Sequence, residues 1–285
     1  MYRFDSILLP HDGSAEACKA LGCSAWLAER LDATLHVLTP APLQLPPEVQ
    51  ARLVLHRAVG NPVEALRRAI TVLAVKLVVL TARGASASAG IDPDRRLGTV
   101  AQALMASSTV PVILLPLHYR EVLPWTSMLV GATGDPASDY ALQAALRFGS
   151  ALGLELSVVC CDDPLAPPPA LGSYADATHH EYPHRLEDMV RRSLARSDDG
   201  PPWSIAHLLL CPGDAATQLS IHVHQRQASV LALGWHGSLA HGRASVLKRF
   251  LERAEYPLLL VRDVGGPAMT LKVGERFQPT AAPSP

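Results

Sequence analysis

Net charge is almost missing from this chain of 285 residues: 25 Lys and Arg stand against 26 Asp and Glu, giving a formal charge of −1. Without a basic field, neither nucleic acid nor an anionic membrane surface is an expected partner. Also missing is any apolar run of the roughly eighteen residues needed to span a bilayer. The first ten residues read as a strand rather than a signal peptide. Cysteine is scarce and odd in number, and Cys18, Cys23, Cys160, Cys161 and Cys211 follow neither a disulfide framework nor zinc-ligand spacing. Such usage fits small buried thiols in a reducing cytoplasm, the expected location. What is present is apolar material: 48% of residues are hydrophobic and only 18% charged, enough to bury a sizeable core.

The sequence repeats itself. "FDSILLPHDGSAEACKAL" at 4–21 has a counterpart in "WTSMLVGATGDPASDYAL" at 125–142, each an apolar strand, a small polar turn and a helix starting near Ser14 or Ser138. Further on, "AVGNPVEAL" (58–66) matches "LCPGDAATQL" (210–219) through Gly60 and Gly213, and "LVVLTARG" (77–84) matches "VLALGWHG" (230–237) through Gly84 and Gly237. "STVPVILLP" (108–116) and "AEYPLLLVR" (254–262) are both strands entered through proline. Two copies of one unit account for the length.

Within the first copy, apolar runs at 5–10, 33–39, 51–57, 76–81 and 111–116 alternate with helical patterns at 14–30, 62–74 and 96–107. The second copy repeats the order, with strands at 127–132, 154–160, 205–210, 229–233 and 257–262. Continuously apolar strands alternating with helices predict an α/β fold of two tandem doubly wound parallel five-stranded sheets with flanking helices. The expected domains are 1–120 and 121–266, followed by a flexible tail at 267–285. Between its second and third strands the second copy has a helical pattern, "HRLEDMVRRSLARS"; the first has only "PAPLQLPPEVQ", whose prolines forbid a regular helix. The first domain therefore lacks one covering helix. Part of a sheet face is then either covered by the other domain or left as an open cleft. The proline-led strands at Pro111 and Pro257 are candidate sheet edges, whose pairing would make a dimer within or between chains.

In open parallel sheets, ligands settle beyond the carboxyl ends of the strands. Two loops of each copy belong there: "LPHDGS" and "LTARGASASAGIDPDRRLGTV" in the first, "VGATGD" and "LGWHGSLAHGRASV" in the second. Glycines let a backbone approach phosphate oxygens, and the following helix offers N–H groups at the positive end of its dipole. Asp12 could accept hydrogen bonds from a ribose or base amine. For Gly234 and Gly237 the alternative is that turn geometry alone demands them.

On these residues the chain resembles the universal stress protein family over nearly its whole length, as two tandem domains. "ILLPHDGS" (7–14) fits the family's strand followed by Pro-x-Asp-Gly-Ser. The family's other mark is Gly-x-x-Gly, nine residues, then Gly-Ser or Gly-Thr; members that keep it bind ATP or a related adenine nucleotide, and Mg would accompany it. The resemblance implies a Rossmann-like, adenine nucleotide alpha hydrolase-like fold. It also implies nucleotide-binding roles for Asp12, Gly13, Gly84, Gly98 and Thr99 in the first copy and Gly234, Gly237 and Ser245 in the second. Neither copy keeps the whole pattern. In the first, Thr81 stands where a glycine belongs and the intervening loop (85–97) is longer than nine residues. In the second the loop is shorter, Ala244 replaces the third glycine, and Thr133 replaces the aspartate, with Asp135 two positions on. Arg83, Arg95 and Arg96 could neutralise phosphate, or pair with Asp92 and Asp94. Ala244 reads as a mild change, since alanine adopts helical geometry; the shortened loop costs more backbone, so the first copy is the better nucleotide candidate.

Other constellations are bland. His179, His180 and His184 sit around Glu181, but Pro183 argues against a helix that would present them jointly to zinc. His222 and His224 fall on different faces of a helix, and Cys160 and Cys161 on opposite faces of a strand. Ser14 reads as a helix cap, while His11 and His236 read as partly exposed loop residues. No nucleophile elbow is present and no metal-holding acid besides Asp12 stands out, so no catalytic residue and no metal site are assigned. The expectation is a cytoplasmic stress-response regulator whose domains pack as an intramolecular pseudo-dimer, with homodimers open to it, and whose nucleotide site changes its associations. The alternatives are a ligand-free scaffold and a slow ATP hydrolase.

Overall fold

The computed structural model describes residues 3–43, 53–84, 97–132, 136–162, 205–240 and 244–262. In the first half, β1 (Ser6–Pro10), α1 (Ala15–Arg30), β2 (Thr34–Thr39), β3 (Leu53–Arg57), α2 (Pro62–Val72), β4 (Leu77–Thr81), α3 (Thr99–Ser107) and β5 (Val112–Leu115) follow one another. In the second half come β6 (Ser127–Ala132), α4 (Pro136–Leu152), β7 (Glu155–Asp162), β8 (Ile205–Pro212), α5 (Ala215–Gln225), β9 (Val230–Trp235), α6 (Ser245–Arg253) and β10 (Leu258–Arg262). These are the alternating elements expected from the apolar runs. Ser14 caps α1 by accepting the Ala17 N–H at 3.1 Å, and Asn61 caps α2 through Val63 and Glu64. Helix α4 starts earlier than Ser138, at Pro136, because the fixed φ of proline suits a first helical turn. The histidines at 179, 180 and 184, the helical pattern of the second crossover, Thr133, Asp135, Arg95, Arg96 and the tail at 267–285 lie outside the described residues.

The strands form one ten-stranded sheet in the order β3-β2-β1-β4-β5-β10-β9-β6-β7-β8. Each half is parallel, and the halves join where β5 meets β10 antiparallel. Counting two residues from Pro111 and from Pro257 reaches Ile113 and Leu259, and these two pair with each other. On either side Leu258 faces Leu114 and Leu260 faces Val112, so the seam is symmetric about its central pair. All six side chains are buried. The two proline-led edges thus close on each other inside one chain, and two separate five-stranded sheets become one.

Strand alternation sorts the core into two layers. Ile7, Leu9, Leu77, Val79, Ile113 and Leu259 point to the face covered by α1 and α4. Leu8, Val78, Val112, Leu114, Leu258 and Leu260 point to the face covered by α2, α3, α5 and α6. Both layers run unbroken across the seam. The chain has only four Trp and four Phe, yet two of each meet at the junction of the halves. Phe4 packs edge-on against Phe148 with centroids 5.3 Å apart, and Trp125 sits 5.0 Å from Trp26 and 6.3 Å from Phe148. These rings tie α1 to α4 through the connecting segment.

Among the described residues, the second half does not cover the region beside β3. Strand β3 lies at the outer edge of the sheet, at the end opposite β8, and Val54 and Leu55 are 42% and 47% exposed. The physical reason is that the halves join through β5 and β10 rather than face to face.

Truncating the seam at its centre tests this architecture. Leu259→Ala removes a fully buried side chain from the α1–α4 layer, and urea unfolding is expected to show a loss of about 2–5 kcal/mol. A loss near zero would mean that the seam carries little of the stability.

Candidate functional site

A cavity of about 330 Å³ opens at the carboxyl ends of β1 and β4, between the starts of α2 and α3. Leu38, Pro40, Ala58, Leu66 and Leu80 give it apolar walls, and Asp12, Gly84, Gly98 and Thr99 lie together on its rim. Its size is at the lower end of small-molecule sites.

Several local devices build that rim. Asp12 accepts the Ser14 N–H on Oδ1 at 3.0 Å, which fixes the carboxylate at the start of α1. Its Oδ2 lies where a Cβ on Gly84 would stand, so the absence of a side chain at 84 lets Asp12 reach across from β1 to the β4 loop. Gly13, at φ +85°, makes the turn between them. Gly98 caps α3 with no side-chain hydrogen bond, unlike Ser14 and Asn61 on their helices. The first-turn N–H groups of α3 therefore face the cavity without a side-chain acceptor from the cap, the arrangement that suits an anion.

His11 departs from expectation. It is 1% exposed rather than a partly open loop residue, because its ring turns under the Asp12–Gly13 turn. Nδ1 accepts the Gly13 N–H at 3.2 Å, which leaves the proton of the neutral ring on Nε2, 3.8 Å from Cys18 Sγ. Desolvation lowers its pKa, against an opposing pull from Asp12.

A second cavity, also about 330 Å³, occupies the equivalent place in the second half and is lined by Ser138, Cys161, Gly234, His236, Ser238, Ala244 and Ser245 among others. Here the glycines have other work. A Cβ on Gly234 would run into the backbone of Ala137 and Ser138, so glycine is required for α4 to close on β9. Gly237, at φ +80°, packs against Arg262, whose guanidinium donates to the Ala106 carbonyl at the end of α3 in the first half. Gly237 therefore belongs to the contact between halves. Ala244 is left-handed, at φ 52° and ψ 40°; the expectation of helical geometry fails there, and a glycine would hold this conformation without the alanine's steric penalty. Asp214, beside this cavity, is engaged in capping α5 through Thr217 and in an ion pair with Arg249 at 2.7 Å.

Among the described residues no group of three or more His, Cys, Asp or Glu could hold a metal ion, and no helix is long and apolar enough to cross a membrane.

A doubly wound α/β chain with crevices beyond the carboxyl ends of its strands is the class that the fold defines. Residues 124–262 match the family model of the universal stress protein family, and this half of the chain is a domain of that family. Over the longer span the likeness is one of fold. A universal stress protein from Archaeoglobus fulgidus superposes with a TM-score of 0.63 at 16% identity, covering 92% of this chain and 99% of that one. A putative universal stress protein from Pseudomonas aeruginosa gives 0.58 at 13% identity, covering 91% and 93%. No curated protein sequence matches the chain.

Two measurements test the site's construction. Gly234→Ala places a methyl group against helix backbone and is expected to lower stability by about 1–3 kcal/mol or more in urea unfolding; a neutral result would show that α4 can stand off from β9. For His11 the sign follows from its lowered folded pKa. Above about pH 6.5 the ring is neutral in both states, whereas below it the unfolded chain gains a proton that the buried ring resists, so stability falls with pH. In His11→Asn the drop in unfolding free energy between neutral and mildly acidic pH should be smaller. Part will persist, because desolvation, with His56 second, also depresses His36. An unchanged slope would place the titration elsewhere.

Proposed function

We propose that the chain is a tandem universal stress protein of the cytoplasm that binds an adenine nucleotide in its first half and changes its associations when it does. Its domains, 1–120 and 121–266, form an intramolecular pseudo-dimer through the β5–β10 seam. The observation that carries the reading is the convergence of Asp12, Gly84, Gly98 and Thr99 on one apolar-walled cavity. Asp12 contacts the nucleoside. The N–H groups of α3, the Thr99 hydroxyl and the backbone at Gly84 hold phosphate oxygens, and the apolar walls take the base. Magnesium would arrive with the phosphates, which together with water supply most of its ligands. Among the described residues lining the cavity Asp12 is the sole carboxylate, which favours binding over hydrolysis.

For the second half the scaffold reading has its own support. Gly234 is required by the approach of α4, and Gly237 by its turn at φ +80°. Both have a structural reason that needs no ligand.

Denaturing extraction of freshly purified protein, followed by mass analysis, tests the proposal, with calorimetric titration of ATP beside it. Near-stoichiometric ATP, ADP or AMP is expected from the native chain. Asp12→Ala should weaken binding about tenfold to a hundredfold, the worth of a charge-assisted hydrogen bond. Gly98→Val should abolish it, since φ is −65° there and a Cβ meets only ordinary contacts with Ala82 and Arg83, so the fold accepts the side chain that fills the rim. Ser245→Ala, in the second cavity, should leave binding unchanged. An empty extract with no heat at millimolar ATP would establish the scaffold reading for both halves.

A further inference from the structure

Beyond the nucleotide question, the second half assembles two thiols and an imidazole that the sequence keeps far apart. Strands β7 and β8 pair in parallel with Cys161 directly opposite Cys211, so both side chains leave the same face of the sheet. Both sulfurs belong to the layer under α5, Cys211 within it and Cys161 packed against it, and both are reduced. The imidazole of His222, on α5, places Nε2 3.1 Å from Cys211 Sγ. Cys161 is half-buried and lines the second cavity, while Cys211 is buried. Cys160, one residue earlier, points into the opposite layer.

Registered neighbours on adjacent strands stand about 4.8 Å apart, within the Cα separation that a disulfide spans, roughly 4.4–6.8 Å. Their Cβ atoms stand about as far apart as their Cα atoms, farther than the ~3.8 Å mean of a relaxed disulfide. Closing the bond must therefore draw the ends of the strands together. Strand β8 is the outermost strand of the sheet and among the described residues pairs with β7 alone, so its end can yield without breaking a second ladder. A bond closed against such strain is readily reduced again.

We infer that Cys161 and Cys211 are a reversible peroxide-responsive dithiol at the edge of the second cavity, with His222 relaying the proton of Cys211. Cys161, the more exposed, gives its proton to solvent and attacks a peroxide oxygen as its thiolate. It becomes a sulfenic acid as the O–O bond breaks and hydroxide leaves, which takes up a proton from solvent as water. Cys211 then attacks the Cys161 sulfur. Its proton passes through His222 Nε2 to the departing hydroxide, which leaves as water. Two thiols and one hydrogen peroxide give one disulfide and two waters, with sulfur oxidised and peroxide oxygen reduced. Burial pushes the Cys211 thiol up, which makes it the resolving partner rather than the first to react and gives the nearby imidazole its role. A small thiol reductant reverses the reaction.

Stoichiometric hydrogen peroxide added to the purified full-length chain, with proteolysis under non-reducing conditions and mass spectrometry, tests the inference. The expected result is a peptide pair joined through Cys161 and Cys211, lighter by two hydrogens and separated by dithiothreitol. In Cys211→Ser the reaction should halt at a sulfenic acid on Cys161, captured by dimedone. Cys160→Ser should react as the native chain does. His222→Gln should slow disulfide closure at least about tenfold, as loss of a proton relay does, without changing the linked pair. Absence of the Cys161–Cys211 link in a chain whose circular dichroism is intact would overturn the dithiol, as would equal oxidation of Cys160. Closure at the native rate in His222→Gln would overturn the relay.

Discussion

The pairing of β5 with β10 sets the conditions under which everything else in the molecule operates. A parallel sheet whose last strand is apolar and unpaired presents a row of backbone donors and acceptors ready to add another strand. Here each half answers the other's need. Because the two strands run antiparallel, the carboxyl ends of the first half's strands and those of the second point to opposite edges of the ten-stranded sheet. The two cavities therefore open on opposite sides. The loop beyond β9 comes to rest over the amino ends of the first half's strands, which explains why Gly237 and Arg262 meet Ala106 at the end of α3. The position matching Arg262 in the first copy is Pro116, which cannot return the contact. The halves are related in backbone and unequal in chemistry.

That inequality extends to the cavities. In the first, glycine at 84 makes room for a carboxylate, and glycine at 98 leaves a helix start without a side-chain acceptor. Both absences of a side chain turn polar groups toward the cavity. In the second, glycine at 234 makes room for the backbone of α4, and alanine at 244 bends through a left-handed conformation. The same residue type in matching loops thus serves a cavity-facing geometry in one half and helix packing in the other. The distinction depends on what lies across from each glycine.

How much of this the sequence reveals depends on the range of the interaction. Apolar runs, helix caps such as Ser14 and Asn61, and proline-led strands are written over a few neighbouring residues, so the elements and their order are legible. The clustering of Asp12 with Gly84, Gly98 and Thr99 is legible through the rule that places ligands beyond parallel strands. Burial of His11 is not, because its neighbours in sequence are turn residues and its enclosure comes from the turn folding over it. Nor is the reason for Gly234, which lies in Ala137 and Ser138. The opposition of Cys161 and Cys211 is least legible of all. It follows from the register of two strands joined by a long crossover, with a shift between Leu156 and Ser157, and a one-residue change in that register would send one thiol to the other face.

The scarcity of aromatic rings acquires a meaning once the halves are seen together. Phe4, Trp26, Trp125 and Phe148 gather where α1, the connecting segment and α4 meet, each pair adding about 0.5–1.5 kcal/mol beyond the area it buries. With continuous cores on both faces of the seam, rotation of one half against the other would open two layers and a strand ladder at once. Conformational change in such a body must be sought at its periphery: the outer strands β3 and β8 and the start of α6. Strand β8 carries the Cys211 end of the proposed dithiol. The first cavity lies against the turn that buries His11. A rigid centre thus leaves both cavities, and the proposed chemistry in them, to the margins of the sheet.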